Sequence, residues 1–311
     1  MAAQVAPLLQ KLDPMSMMED GGLQKATIAI KLLGEKVKTD ASTTAGIVEA
    51  DGVLILLQTA LLHPVPELRE GAIVVIAGCV RCADNGPFLD MALQKNLPAA
   101  LVRLCSEQDR RAKRPDSGEG DPGEEKAYDP DLPVRRVAVD VLSHVLLRID
   151  AKTTLRVLGS KEWQGVVGTC FALIGNSDTS IRGRGAALLT HLLGLPQGVA
   201  AEADGTEAEA QAPVVTLTPE ERTQLLALVH DYAGSEAEKA AAVLTLALSD
   251  DEERVRSVAC GAIRALKPSG AALRDHLIEN NAVVAAAALG AQAADVVEWL
   301  GGVEAVMRAE A

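Results

Sequence analysis

Aromatic side chains are nearly missing: the 311 residues hold two Trp, two Tyr and two Phe. Yet 48% of the chain is hydrophobic, so a core has to be assembled from Ala, Leu, Val and Ile. That stock suits tightly packed helices better than a sandwich or a barrel, and the length gives room for one or two ordinary domains. Long apolar runs are missing too. No window approaches the ~18 uncharged apolar residues a membrane span needs, and "MAAQVAPLLQKLDPMSMMED" has no basic start followed by an apolar block, so neither a membrane span nor a signal peptide is expected. Positive charge is in deficit, with 30 Lys and Arg against 43 Asp and Glu and a net charge of −13. A nucleic-acid partner is not expected of such a chain, because phosphate neutralisation needs clustered cations.

Catalytic signatures are absent as well: no GxSxG, no HExxH, no Walker sequence and no GxGxxG after a strand. His63, His230 and His276 stand without a base or nucleophile at readable spacing. "CVRC" (Cys79–Cys82) has metal-type spacing but no second pair to complete four ligands. Five Cys, an odd number with no export signal, read as reduced intracellular thiols packed as small hydrophobes. The sequence therefore predicts no enzyme, no metal, no cofactor and no small-molecule substrate.

The acidity that is present is uneven. Residues 106–131 carry nine acids and five bases, and residues 197–213 carry four acids and no base. Both segments are polar or small and punctuated by Pro and Gly, so they are expected to form no packed core. They divide the chain into repeats over 1–105, an acidic insertion over 106–131, repeats over 132–196, an acidic linker over 197–216, and repeats with a terminal cap over 217–311. Thr218 and Ser160, each followed by acids in the first turn, read as helix caps.

"IRGRGAALLTHLLG" from Ile181 resembles a basic, glycine-rich phosphate loop, but its frame recurs. "LREGAIVVIAGCV" from Leu68, "VRRVAVDVLSHVL" from Val134 and "VRSVACGAIRAL" from Val255 all place an aliphatic residue, Arg, two positions, a small anchor and an aliphatic four steps on. Leu68, Ala72, Val75, Ile76 and Cys79 fall on one helical stripe, and Val255, Ala259, Ala262, Ile263 and Leu266 repeat those offsets. With a less regular copy at "LQKATIAIKLLGEKV", the anchors Ala26, Ala72, Ala138, Gly185 and Ala259 stand 46, 66, 47 and 74 residues apart. Removing the insertion brings the second gap to 40. Periods of about 40–47 residues built from two or three helices mark HEAT and armadillo arrays, in which a helical unit buries its apolar face only by stacking on the next.

The stretch "EADGVLILLQTALLHPVPELREGAIVVIAGCV" (49–80) resembles an armadillo repeat: Gly52 opens the second helix, Leu54, Leu57 and Leu61 fill it, His63 to Pro66 turn, and the Arg69–Ala72–Ile76 frame begins the third. "NLPAALVRLC" is similar to the next second helix and "DPDLPVRRVAVDVLSHVL" to its third, while "GNSDTSIRGRGAALLTHLLG" and "LSDDEERVRSVACGAIRAL" drift toward HEAT. The resemblance implies an all-α fold, a right-handed α-α superhelix of the armadillo/HEAT solenoid type, whose Ala and Gly positions let helices of adjacent repeats approach closely.

Importin-like armadillo proteins carry a groove Trp two residues after the anchor and an Asn six after it. Here the Trp positions hold Val74, Asp140, Ala187 and Gly261, and the Asn positions hold Gly78, His144, His191 and Ala265, so that ladder is missing. The repeat Arg positions admit two roles, joining repeats or, for Arg135, Arg136 and Arg182, lining a partner-binding groove. His144 and His191, with Asp140 one turn before His144, complete that candidate groove, which would respond to pH near neutrality. Trp163, Trp299 and Tyr128 are the candidate contact aromatics, since aromatic and Arg side chains dominate interfaces. The N-terminal "PMSMMED" reads as a gap-filling cap on the first repeat in preference to an adaptable contact patch, since Met suits both, and "AADVVEWLGGVEAVMRAEA" as an amphipathic seal on the last repeat. The expected function is a non-catalytic protein-protein scaffold or adaptor, a structural subunit of a larger intracellular assembly, cytoplasmic and associated with the cytoskeleton or ciliary axoneme. The alternative is a transport or co-chaperone factor that holds client segments in the concave groove.

Overall fold

A computed structural model of the chain describes residues 2–82, 85–106, 131–147, 154–155, 158, 165–195 and 217–302. Most of both acidic segments, 107–130 and 196–216, lies outside these, as does Ser160. Among the described residues every regular element is a helix. The contacts divide into two units, one ending at Val141 and one starting at Leu142.

The first unit contains α1 (Ala2–Gln10), α2 (Pro14–Met17), α3 (Gly22–Thr39), α4 (Ser42–Glu49), α5 (Gly52–Leu62), α6 (Pro66–Arg81), α7 (Gly86–Gln94), α8 (Leu97–Cys105) and most of α9 (Leu132–Leu147). Helices α4, α5 and α6 form one repeat; α7, α8 and α9 form the next. First and second helices pack on their counterparts, α4 on α7 and α5 on α8, while α3 packs on α6 as a third helix without its own complete repeat. The second helix opens at Gly52 and the third at Pro66, whose fixed φ suits the first turn.

The corner between first and second helices depends on one residue. Helices α4 and α5 meet at 91°, and the hinge residue Asp51 has φ 49°. Asn96 before α8, at φ 65°, holds the same place in the next repeat. Asp and Asn tolerate this left-handed conformation better than other residues with a Cβ, because their short polar side chains bond locally.

The second unit contains α10 (Gly165–Ile174), α11 (Thr179–Leu192), α12 (Pro219–Ser235), α13 (Ala237–Leu248), α14 (Glu253–Leu266), α15 (Ala271–Glu279), α16 (Ala282–Ala288) and α17 (Ala294–Trp299). Second helix α10 stacks on α13, and third helix α11 on α14. Asn281, at φ 60°, makes the left-handed corner before α16. Thr218 caps α12 in a reciprocal box: the Glu221 N–H donates to Thr218 Oγ1 at 3.2 Å, and the Thr218 N–H donates to Glu221 Oε2 at 2.9 Å.

The core follows from the composition. Leu, Ile, Val and Ala fill both units, joined by the fully buried rings of Phe88 and Phe171. Phe171 packs against Tyr232 with ring centroids 5.2 Å apart. Val296 and Leu300 are buried in the last described turn, while Val303, Val306 and Met307 lie outside the described residues. No single described helix is long and apolar enough to cross a membrane, although the bent pair α4 and α5 would suffice by length and composition.

One joint repeats in both units. Arg69 donates through Nη1 to the carbonyls of His63 at 2.6 Å and Pro64 at 3.2 Å. Arg182 does the same to Asn176 at 3.1 Å and Ser177 at 3.0 Å, and Arg256 to Asp250 at 2.7 Å and Asp251 at 2.8 Å. In all three turns the side chain six positions before the Arg accepts the N–H two residues on: His63 from Val65, Asn176 from Asp178, Asp250 from Glu252. The cation thereby satisfies backbone carbonyls of the turn that follows the second helix. It then reaches the following repeat, Arg69 to Asp131 and Arg182 to Asp250, the latter at 2.9 Å. Arg182 therefore fixes one repeat to the next.

Candidate partner-binding groove

Third helices α3, α6 and α9 lie side by side in the first unit. Small residues allow the closest approach: a Cβ on Gly71 would meet Ile30 side-chain carbons at 2.8 Å, and one on Gly78 would meet Val37 Cγ1 at 2.5 Å. Ile30 and Val37 are seven residues apart, as are Gly71 and Gly78, so two turns of each helix interlock. This is the packing reason for glycine inside α6, where it costs about 1 kcal/mol of helix propensity relative to Ala.

Beside this contact a groove of about 560 Å³ opens across the C-terminal part of α3, the turn into α4, and the faces of α6 and α9. Val37, Val74, Ala77 and Val137 supply its apolar walls, and Gly78 leaves space between them. Lys38, Asp40, Arg81 and Asp140 supply its polar rim. Arg81 Nη2 stands 3.9 Å from Asp140 Oδ2, with the two side chains 42% and 19% exposed. A pair this open to water contributes about 1 kcal/mol or less, so a partner's charges can displace it at little cost. Asp40 is held below the ordinary carboxylate range by the Ser42 hydroxyl, 2.5 Å away, and by the Ser42 N–H at 2.9 Å.

Val74, Gly78 and Asp140 occupy the Trp and Asn positions of the importin-like ladder, so the groove lies on the face that the repeat frame indicates, with different chemistry. Val37, Arg81 and Cys82 were not legible as lining residues. Val37 belongs to the buried stripe of α3, and Arg81 and Cys82 stand at the end of α6, so only the packing of α3 beside α6 makes their place at the groove visible.

The remaining candidates scatter. His144 is half-buried on α9. His191 is half-buried on α11 with its Nε2 buried and without a hydrogen-bond partner; burial, reinforced by the Arg222 cation, lowers its pKa, so it charges at more acidic pH than a free imidazole. Asp140 stands near Arg81 at the groove rim. Arg135 is buried and Arg136 exposed on the first turns of α9. Arg182, 12% exposed, is committed to the repeat joint. Trp299 is half-buried at the end of α17, with Lys267 Nζ 6.0 Å from its ring centroid and its carbonyl accepting from Arg274 Nε at 2.7 Å. Tyr128 and Trp163 lie outside the described residues.

The thiols differ sharply. Cys79 is buried and its pKa is pushed up to about 12, whereas Cys82 is half-exposed at the groove. Among the described residues no three His, Cys, Asp or Glu side chains gather as a metal site.

No family model matches the chain, and no curated protein does. Solved structures are similar to it. Computationally designed armadillo repeat proteins for modular peptide recognition align at TM-score 0.50 and 15% identity, covering 98% of this chain and 99% of that one. One engineered protein aligns at 0.51 and 15%, covering 96% and 98%, and another at 0.50 and 13%, covering 98% of each. At such identities the likeness is one of fold.

Proposed function

The chain is an armadillo-like helical repeat, and from that fold we propose a non-catalytic protein-interaction scaffold or adaptor. The observation that carries this reading is the groove on the third helices of the first unit. Its walls, Val37, Val74, Ala77 and Val137, suit an aliphatic side chain of an extended partner segment, and the Arg81–Asp140 pair at the rim can exchange its own contact for the segment's charges. The same fold has been designed elsewhere for modular peptide recognition. The scarcity of aromatic hot-spot residues favours affinity drawn from a wide contact, which suits a built-in subunit of a larger cytoplasmic assembly attached to the cytoskeleton or ciliary axoneme. The second reading, a transport or co-chaperone factor, uses the same groove transiently for client segments.

A mild affinity purification of the tagged chain from its own cells, followed by sizing and mass spectrometry, separates the two. A salt-resistant, stoichiometric fraction of very high mass supports the structural subunit; a monomer with changing, sub-stoichiometric partners supports the client factor. The double exchange Arg81→Glu/Asp140→Arg alters the rim while preserving its internal pairing. Retention of every partner by that variant, and by Val74→Glu, would remove the groove from the argument.

A further inference from the structure

Helix α3 is out of keeping with the rest of the chain. In a protein of net charge −13 it carries Lys25, Lys31, Lys36 and Lys38 against one acid, Glu35, and Glu35 already pairs with Lys38 at 3.0 Å. It also exposes apolar surface. Ile28 is 53% and Leu32 47% exposed, although both sit mid-helix. Ala26, Ile30, Leu33 and Val37 form the buried stripe against which α6 packs. Ile28 is two residues from Ile30, about 200° around the helix, so Ile28 and Leu32 form a second stripe on the opposite face. At the same periodicity Lys25 falls on one flank of this stripe and Lys31 on the other. The short helix α2, packed on the start of α3, adds exposed Met15 and Met18 at 72% and 84%.

The position explains what shape belongs there. Third helices α3, α6 and α9 lie side by side, and the outer face of α3 is the place that one more helix of that layer would occupy. An open end of a repeat stack is normally closed by a polar cap; here it is apolar in the middle and cationic at the sides. We propose that this face docks an acidic amphipathic helix of another protein, which continues the third-helix layer, buries apolar side chains on Ile28 and Leu32, and places Asp or Glu opposite Lys25 and Lys31. The surface is separate from the groove described above and stands or falls without it.

The test uses the full chain and a displayed library of helical peptides. Each peptide has a fixed i, i+3, i+4, i+7 aliphatic stripe, and its flanking positions are randomised among Glu, Lys and Ser. Selection is run on the unaltered chain, with counter-selection on Ile28→Glu/Leu32→Glu; both residues are exposed, and circular dichroism verifies that the variant folds. The expected result is enrichment of Glu at the flanks. The selected peptide should bind at least about tenfold more weakly to Ile28→Glu/Leu32→Glu and to Lys25→Glu/Lys31→Glu, consistent with losing apolar burial or reversing two charges, and weaken as salt is raised. Val74→Glu in the groove leaves that binding unchanged. The proposal is overturned if enrichment favours Lys or Ser, if no stripe-dependent peptide emerges, or if the selected peptides bind the double variants equally well. It is also overturned if the stripe instead mediates concentration-dependent self-association on sizing, or lysine-dependent binding to vesicles containing anionic lipid.

Discussion

Replacing Arg182 by Met keeps the length of the apolar stem and removes the cation that joins two repeats. Three kinds of contact are lost: the donations to the Asn176 and Ser177 carbonyls, a 3.3 Å contact to Thr179 Oγ1, and the ion pairs with Asp250 at 2.9 Å and with Asp251 at 3.1 Å. Hydrogen bonds from a charged donor contribute about 1.5–3 kcal/mol, and breaking a buried pair by removing one partner costs about 3–5 kcal/mol. Asp250 retains 10% exposure, so water reaches the abandoned carboxylate and the low end applies: a loss of about 3 kcal/mol. For a unit of this size that lowers Tm by roughly 6–12 °C. The pH dependence carries a second signature. Burial already raises the Asp250 pKa in the intact protein despite Arg182, so in Arg182→Met it rises further. A carboxyl whose folded pKa is raised opposes folding above that pKa, so the variant's deficit should be largest near neutrality and shrink as pH falls and Asp250 takes up a proton. Urea titrations followed by helical circular dichroism between pH 4 and 8, with Arg182→Met/Asp250→Asn as the partner variant, measure both effects. A deficit below about 1 kcal/mol, or strict additivity in the double variant, would refute the clamp.

Other outcomes can be checked with smaller changes. The two glycines of "RGRG" should respond oppositely. Gly185→Ala places a Cβ 2.7–2.9 Å from Leu173 and the Ile174 nitrogen and should destabilise by about 1–3 kcal/mol, whereas Gly183→Ala meets nothing within 4 Å and should stabilise by about 0.5–1 kcal/mol; equal shifts in urea midpoint would contradict the close approach of α10 and α11. Asp295 is lowered from 3.8 to about 2, chiefly by Arg264, which binds it at 2.7–2.9 Å. Its stabilising contribution is present above pH 3.8 and lost as pH falls toward 2, so acid unfolding should be less steep over that window in Asp295→Asn. Thiol labelling at pH 8 should modify Cys82 first, while Cys79 and Cys170, both pushed up to about 12 by burial, react only on unfolding; early labelling of Cys79 would show that α6 opens locally.

Helical periodicity, the recurrent Arg frame and the small anchors were enough to read an armadillo-type repeat from the residues alone, and "GVLILLQTALL" and "PELREGAIVVIAGCV" were legible as a second and a third helix because apolar spacing and proline act locally. Asp51, Asn96 and Asn281 could have been read as the left-handed corners from their place before α5, α8 and α16, and the polar residue six positions before each Arg as part of the joint. What the residues could not reveal was which of two outward faces is occupied. His144 and His191 share a repeat position and Asp140 stands one turn before His144, but that Arg81 of the preceding repeat comes within 3.9 Å of Asp140 is set by how the neighbouring repeats pack. Ile28 and Leu32 look in sequence like further core residues of α3 and are exposed only because α6 covers the opposite side. Periodicity along one helix depends on local geometry, which the sequence determines by itself. The groove, the joint between repeats and the open face of α3 depend on how helices distant in sequence pack, and the tertiary structure alone decided those.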